Sequence, residues 1–199
     1  MSVEGATNTA QPVGTQPAAS TPARHAALVR VWDPFVRVFH WLLVAGFAVN
    51  YFELVREGKQ AHQIVGYAVL ALIAARIVWG FVGPRTARFS DFVASPAAVR
   101  RYLGEMLAHR DRRYLGHNPA GGAMVLALLT VTILVGVTGW LNTTDWFFGS
   151  DAMEEAHEIL ANLMLALAGL HILGVIHASW RHRENLVLSM LTGRKRDGA

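Results

Sequence analysis

The stretch that most constrains this chain runs from Met153 to Trp180, MEEAHEILANLMLALAGLHILGVIHASW. It is long and apolar enough to cross a bilayer as a helix, yet it carries His157 and His171 inside its length. Ionisable side chains at membrane depth are costly and by default mark a functional site. Fourteen residues separate the two, which leaves them about 40° apart around a helix and about 21 Å apart along it. One helical face therefore presents two imidazoles at two depths. His177, twenty residues after His157, falls about 200° around the helix, on the opposite face. Two stacked haems, each taking one ligand from this helix, require such a spacing.

Composition agrees with a membrane protein. The chain has 199 residues, 53% of them hydrophobic and 16% charged, which suits one domain of a few spans. It contains no cysteine, so disulfides, thiolate-ligated iron–sulfur clusters and covalent c-type haem are excluded. Histidine is then the main candidate for metal ligation. The formal charge of +4 matters through where the basic residues sit, and no nucleic-acid partner is expected.

Taken in order, residues 1–27 are rich in Ala, Thr, Pro, Gln, Ser and Gly without an apolar period, and read as a disordered tail. They lack the basic and apolar regions of a signal peptide. A first span is expected over about 34–54, with Asp33-Pro34 as cap and first residue. A second follows over about 61–82 and stops at Gly83-Pro84. Ser95-Pro96 opens an amphipathic helix over about 96–109, its Val99, Tyr102, Leu103, Met106 and Leu107 on one face, lying in the membrane interface. Asn118-Pro119 opens a third span over about 120–141, and the fourth covers about 154–180. Lys and Arg concentrate before the first span, between the second and third, and after the fourth. The positive-inside rule then places both termini in the cytoplasm, as an even number of spans requires. The expected fold is all-α, an integral membrane four-helix bundle in a bacterial inner membrane, with residues 28–199 as one domain.

This topology gives each histidine a depth. His40 lies toward the cytoplasmic end of the first span and His62 at the periplasmic start of the second. His157 is periplasmic and His171 closer to the cytoplasm. The pairs that match are His40 with His171 and His62 with His157, each able to hold one haem iron from two sides. An iron filled on both axial positions transfers electrons rather than activating oxygen. A lone histidine in a span is often just a polar residue bonded to a neighbouring helix, but four that pair by depth exceed that explanation. His25, His109, His117, His177 and His182 are left as ordinary polar or interfacial residues.

Arg76 lies fourteen residues after His62, on nearly the same face at the depth of the cytoplasmic haem. A haem propionate is the partner expected for it, in bidentate geometry. Arg37, one turn before His40, is a second candidate for that role, with snorkelling to headgroups as the alternative for both. Gly66, one turn after His62, and Gly174, three residues after His171, would let a flat macrocycle lie against the backbone, although helix packing accounts for them nearly as well.

VWDPFVRVFHW, HQIVGY, RIVWGFVGPRTARFSDF, YLGHNPAGG, HEILANLMLALAGLH and ENLVLSMLTGRKR together resemble the bacterial cytochrome b561 family, which includes the b-type cytochrome subunits of nickel–iron hydrogenases. The resemblance covers about residues 29–196. It implies a four-helix membrane bundle with two b-type haems that exchanges electrons with quinone, and the family's ligand positions fall on His40, His62, His157 and His171. The expected function is transmembrane electron transfer in a respiratory chain. It would link ubiquinone or menaquinone to a periplasmic partner such as a c-type cytochrome or a dehydrogenase subunit. Asp145, Asp151, Glu154, Glu155 and Glu158 make the last loop acidic, which suits a basic cytochrome. One branch of the family oxidises superoxide with ubiquinone, and Arg56 and Lys59 in the first loop could draw in that anion. A superoxide oxidase is therefore the alternative enzyme reading, and a haem-free anchor or transporter a third. Trp140, Trp146, Phe147 and Phe148 border the periplasmic surface, more as an interfacial belt than as a quinone site.

Overall fold

A computed structural model of the chain describes residues 28–54 and 58–197. The expected tail over 1–27, His25 and Arg56 lie outside the described residues. Among those described, the chain is mostly helical: α1 (Pro34–Tyr51), α2 (Gly58–Val82), α3 (Phe89–Phe92), α4 (Pro96–Leu107), α5 (Pro119–Leu141), α6 (Asp151–Arg181) and α7 (Leu186–Thr192). A 3-10 turn over Arg85–Ala87 follows α2, and strands β1 (Leu28–Arg30) and β2 (Arg194–Arg196) flank the set.

The helix starts follow from short polar residues placed before proline or an apolar run. Asp33 Oδ1 accepts the Val36 N–H at 3.1 Å, Ser95 Oγ accepts Ala98 N–H at 3.3 Å, and Asn118 Oδ1 accepts Gly121 N–H at 2.7 Å. In each case proline occupies the first turn, where it lacks only a donor that would be orphaned anyway. Such caps contribute about 1 kcal/mol each. The expected first span stops short, at Tyr51, because Glu53 turns the chain out of the helix at φ 48°. The amphipathic helix ends at Leu107 rather than 109, with His109 at φ 56°.

Among the described residues, three helices are long and apolar enough to cross a membrane: Lys59–Val82, Pro119–Leu141 and Asp151–Arg181. The shorter α1, with Arg37, His40 and Asn50 within it, is not among them. Successive long helices run antiparallel. Asp33 meets Trp79 while Asn50 meets the His62 carbonyl; Leu70 lies against Gly136; Thr132 meets Met164 while Thr138 meets His157. Phe39, Ile73 and Leu129 make the buried core where α1, α2 and α5 converge, with Phe35, Val69, Phe89 and Val125 packed on it. A β-carbon at Gly46 would come within 2.7 Å of Val69, so this close approach of α1 to α2 needs a residue without a side chain.

α6 packs closely along α5 but stands off α1 and α2. Long side chains bridge the gap, among them Tyr51 Oη with Asn162 Oδ1 at 2.7 Å. A wide strip of α6, including Ile159, Leu163, Leu170, Leu173, Ile176 and Trp180, is exposed. In water such a strip would be costly; in a bilayer it faces lipid.

The two strands and α7 were not legible as elements in advance. Gly193 ends α7 at φ 78°, its N–H bonding Ser189 O at 2.8 Å, a left-handed cap that glycine adopts without steric cost. Its carbonyl accepts both Val31 N–H (2.9 Å) and Trp32 N–H (3.1 Å). β2 is thereby laid antiparallel on β1, with Val29 opposite Lys195. We call this the ribbon end of the molecule.

Candidate functional site

The four predicted histidines are brought together in two pairs. His40 of α1 faces His171 of α6 with ring centres 6.4 Å apart. His62 of α2 faces His157 of α6 at 6.1 Å. The pairs span the stand-off between α6 and its neighbours. The first lies toward the ribbon end and the second toward the α5–α6 loop, because α6 supplies one member of each fourteen residues apart.

The His157 ring is held in place from behind. Its Nδ1 lies 3.1 Å from Thr138 Oγ1, and a β-carbon at Gly139 would come within 3.0 Å of the ring. A small residue on α5 therefore lets the imidazole sit against that helix, with Nε2 left free of this contact. His40 Nδ1 is buried and has no hydrogen-bond partner among the described residues. His177 joins neither pair. His182 pairs with Asp111 Oδ2 at 3.1 Å, and His109 is exposed beyond the end of α4.

Arg76 is buried, 3% exposed. Its Nη2 donates to Ala87 O at 3.1 Å and its guanidinium lies 5.1 Å over the Phe89 ring, while Nη1 is buried without a partner among the described residues. Arg37 points elsewhere: Nε donates to Met190 O at 3.2 Å and Nη2 to Leu191 O. Its role in the fold is to satisfy carbonyls left open at the end of α7. Gly66 faces Asn50 at an ordinary contact distance of 3.8 Å, and Gly174 faces open space. Lys59 is exposed in the first turn of α2, and Trp146 and Phe148 stand exposed in the α5–α6 loop.

One histidine left unassigned by the sequence is built into the ribbon end. His117 packs between Trp32 (4.8 Å) and Phe92 (4.7 Å). Burial pushes its pKa down to about 4, with the charges of Arg76 and Lys195 and the ring of His171 adding to the effect. Only the preceding Gly116 and the following Asn118-Pro119 were visible in sequence, and these look like a surface turn. No local pattern reports the two aromatics that cover it.

Long apolar helices with facing histidine pairs between them and α1 define the class as an α-helical membrane protein. The family model for prokaryotic cytochrome b561 matches residues 31–193, and the chain belongs to that family. A probable Ni/Fe-hydrogenase B-type cytochrome subunit from Rhodobacter capsulatus is 26% identical over 219 aligned residues, covering 86% of this chain and 83% of that protein. No solved structure matches the chain. Membership brings haem b and electron transfer in a membrane.

The residues present fit such a group. A metal–imidazole bond is about 2 Å long and the ring centre lies about 1.1 Å behind the nitrogen, so imidazoles on opposite sides of one ion have centres about 6 Å apart. Both pairs have this separation. The stand-off of α6 from α1 and α2 leaves room beside each pair, and open space at Gly169 and Gly174 keeps the α6 backbone accessible to a flat ring.

Proposed function

We propose that the protein is a four-span, di-haem cytochrome b that carries electrons across a bacterial inner membrane, between the quinone pool and a redox partner on the periplasmic side. The observation that carries this reading is the pair of facing histidine pairs at two depths, each at a separation that suits one iron. In it α1 is the fourth span and both termini are cytoplasmic. His40 and His171 hold one haem, His62 and His157 the other. The similarity to a probable Ni/Fe-hydrogenase B-type cytochrome subunit of Rhodobacter capsulatus makes a hydrogenase one candidate for the partner, beside the c-type cytochrome or dehydrogenase subunit. The acidic α5–α6 loop is the docking face for a basic one.

When bound, haem would supply reversible one-electron chemistry, held by the imidazoles of His40, His171, His62 and His157. The chain's own contribution is orientation and exclusion. Thr138 and Gly139 set the plane and tilt of His157. Arg76, held rigid by Ala87 O and the Phe89 ring, offers Nη1 to a propionate. The core around Phe39, Ile73 and Leu129 keeps the α1–α2–α5 face apolar and dry.

The reading is tested by haem per polypeptide on purified protein, with a redox titration of the reduced-minus-oxidised spectrum. Two non-covalent haems with low-spin b-type bands are the expected result. One haem would remove one pair from the proposal, and a folded but haem-free protein from haem-replete cells would overturn it.

Thr138→Val should act more narrowly. Partners of a ligand's second nitrogen are typically worth ten- to a hundredfold in metal affinity, so this variant should lose the His62–His157 haem that much more readily. Competition for haem with an apo-protein acceptor measures it, and equal retention by both proteins would show that Thr138 does not orient the ring.

A further inference from the structure

We propose that His117, Arg76 Nη1 and Lys195 together receive a propionate of the haem between His40 and His171, so that the carboxyl-terminal ribbon sets the redox potential of that haem. The inference rests on the di-haem reading above.

These three residues come from α2, the turn before α5, and β2. The tertiary structure joins them through one aromatic track. Arg76 lies 5.1 Å over Phe89, Phe89 is 5.8 Å from Phe92, and Phe92 is 4.7 Å from His117. His117 is 4.8 Å from Trp32, and Lys195 Nζ sits 5.5 Å over the Trp32 ring. Arg76, Lys195 and His171 all lie close enough to His117 for their charges to act on its ring. The His117 end of the track therefore lies near His171 of the ribbon-end pair.

Its polar groups are under-satisfied. Arg76 Nη1 is buried with no partner among the described residues, although a buried guanidinium nitrogen left unpaired is expensive. Asp33, whose charge acts on Arg76, uses Oδ1 for Val36 N–H and Trp79 Nε1, each at 3.1 Å. Lys195 is 5% exposed, and burial comes first in lowering its pKa, with Glu184 opposing. Glu184 is closer to Arg113 (3.0 Å) than to Lys195 (3.9 Å). Among the described residues, the acid that acts on Arg76 is Asp33 and the acid shared by Lys195 and Arg113 is Glu184, and the His117 imidazole stands near Arg76 and Lys195. One more carboxylate would complete the set. A propionate is a carboxylate on a flexible arm, able to accept from a guanidinium, an ammonium and an imidazole N–H.

A cation facing a propionate stabilises the reduced, less positive iron centre and raises its potential, and outer-shell hydrogen bonding tunes it in the same sense. The experiment is a spectroelectrochemical titration of the whole purified protein, with Lys195→Met, His117→Phe and Lys195→Arg beside the wild type. His117→Phe keeps the stacking between Trp32 and Phe92. Lys195→Met and His117→Phe are each expected to retain two haems and to lower one midpoint potential while the other stays in place. Lys195→Arg should restore it. On a His171→Ala background, Lys195→Met should leave the remaining potential unmoved. Two haems with both potentials unchanged in Lys195→Met and His117→Phe would overturn this inference alone. A shift on the haem that survives His171→Ala would do the same. A wild-type protein without haem would overturn it together with the reading beneath it.

Discussion

His171→Ala is expected to purify with one haem instead of two, its b-type absorbance halved, whereas His177→Ala keeps both. The two residues are about 1.7 turns apart on α6 and chemically identical. They differ in what they face. His171 meets His40 across the gap between α6 and α1 at 6.4 Å, while His177 takes part in neither histidine pair. On the proposed di-haem reading, a haem left with His40 alone would be held non-covalently by a single histidine, so detergent purification should strip it. The haem that remains should be the one between His62 and His157, since Thr138 and Gly139 still fix His157 from behind. Pyridine haemochrome assay against protein concentration reads the result directly. Haem loss in His177→Ala with retention in His171→Ala would reverse the pairing.

Glu184→Ala is expected to be the most destabilising single change outside the histidine pairs, at about 3 kcal/mol, the low end for removing one partner of a buried ion pair. Glu184 and Lys195 side chains are 8% and 4% exposed, while Arg113 keeps 27% in solvent, which is why the low end applies. The change leaves the Lys195 ammonium buried without its nearest acid and loosens three segments at once: the turn before α5, the end of α6 and β2. Thermal unfolding in detergent should show it. The ribbon should also become the first site of proteolytic cutting, ahead of the α5–α6 loop. Glu184→Gln, which keeps an acceptor for Arg113, should recover part of the loss. Glu105→Ala is the contrast: its pair with Arg101 is a 3.9 Å contact between side chains 75% and 40% exposed, and such pairs are worth well under 1 kcal/mol. Equal stability of the Glu184→Ala and Glu105→Ala proteins would show that the ribbon-end pair does not hold the chain ends.

What the sequence determined by itself was whatever a helix repeats locally. Apolar runs of span length, Asp33-Pro34, Ser95-Pro96 and Asn118-Pro119 as starts, Gly83-Pro84 as a stop, and the fourteen-residue interval between His157 and His171 are short-range facts. They survive into the structure because a helix satisfies its own backbone wherever it is placed. The end of α1 was less legible. The run over 34–54 continues apolar past Tyr51, and only the backbone turn at Glu53 closes it.

Partners distant in sequence were decided by the tertiary structure alone. That His40 stands opposite His171 depends on how far α6 is held from α1, a distance set by α5 packing between its neighbours. Arg37, read as a ligand for a propionate or a headgroup, caps α7 instead, because the carbonyls of Met190 and Leu191 arrive from more than 150 residues away. His117, in a stretch that reads as polar, is covered by Trp32 from before α1 and Phe92 from α3. Lys195 is buried in a basic run, RKR, whose alternation is too short to be seen as a strand until β1 pairs with it. Helical periodicity is written into neighbouring residues; the burial of a single charge is written into the whole chain, and it emerges only when the two ends meet.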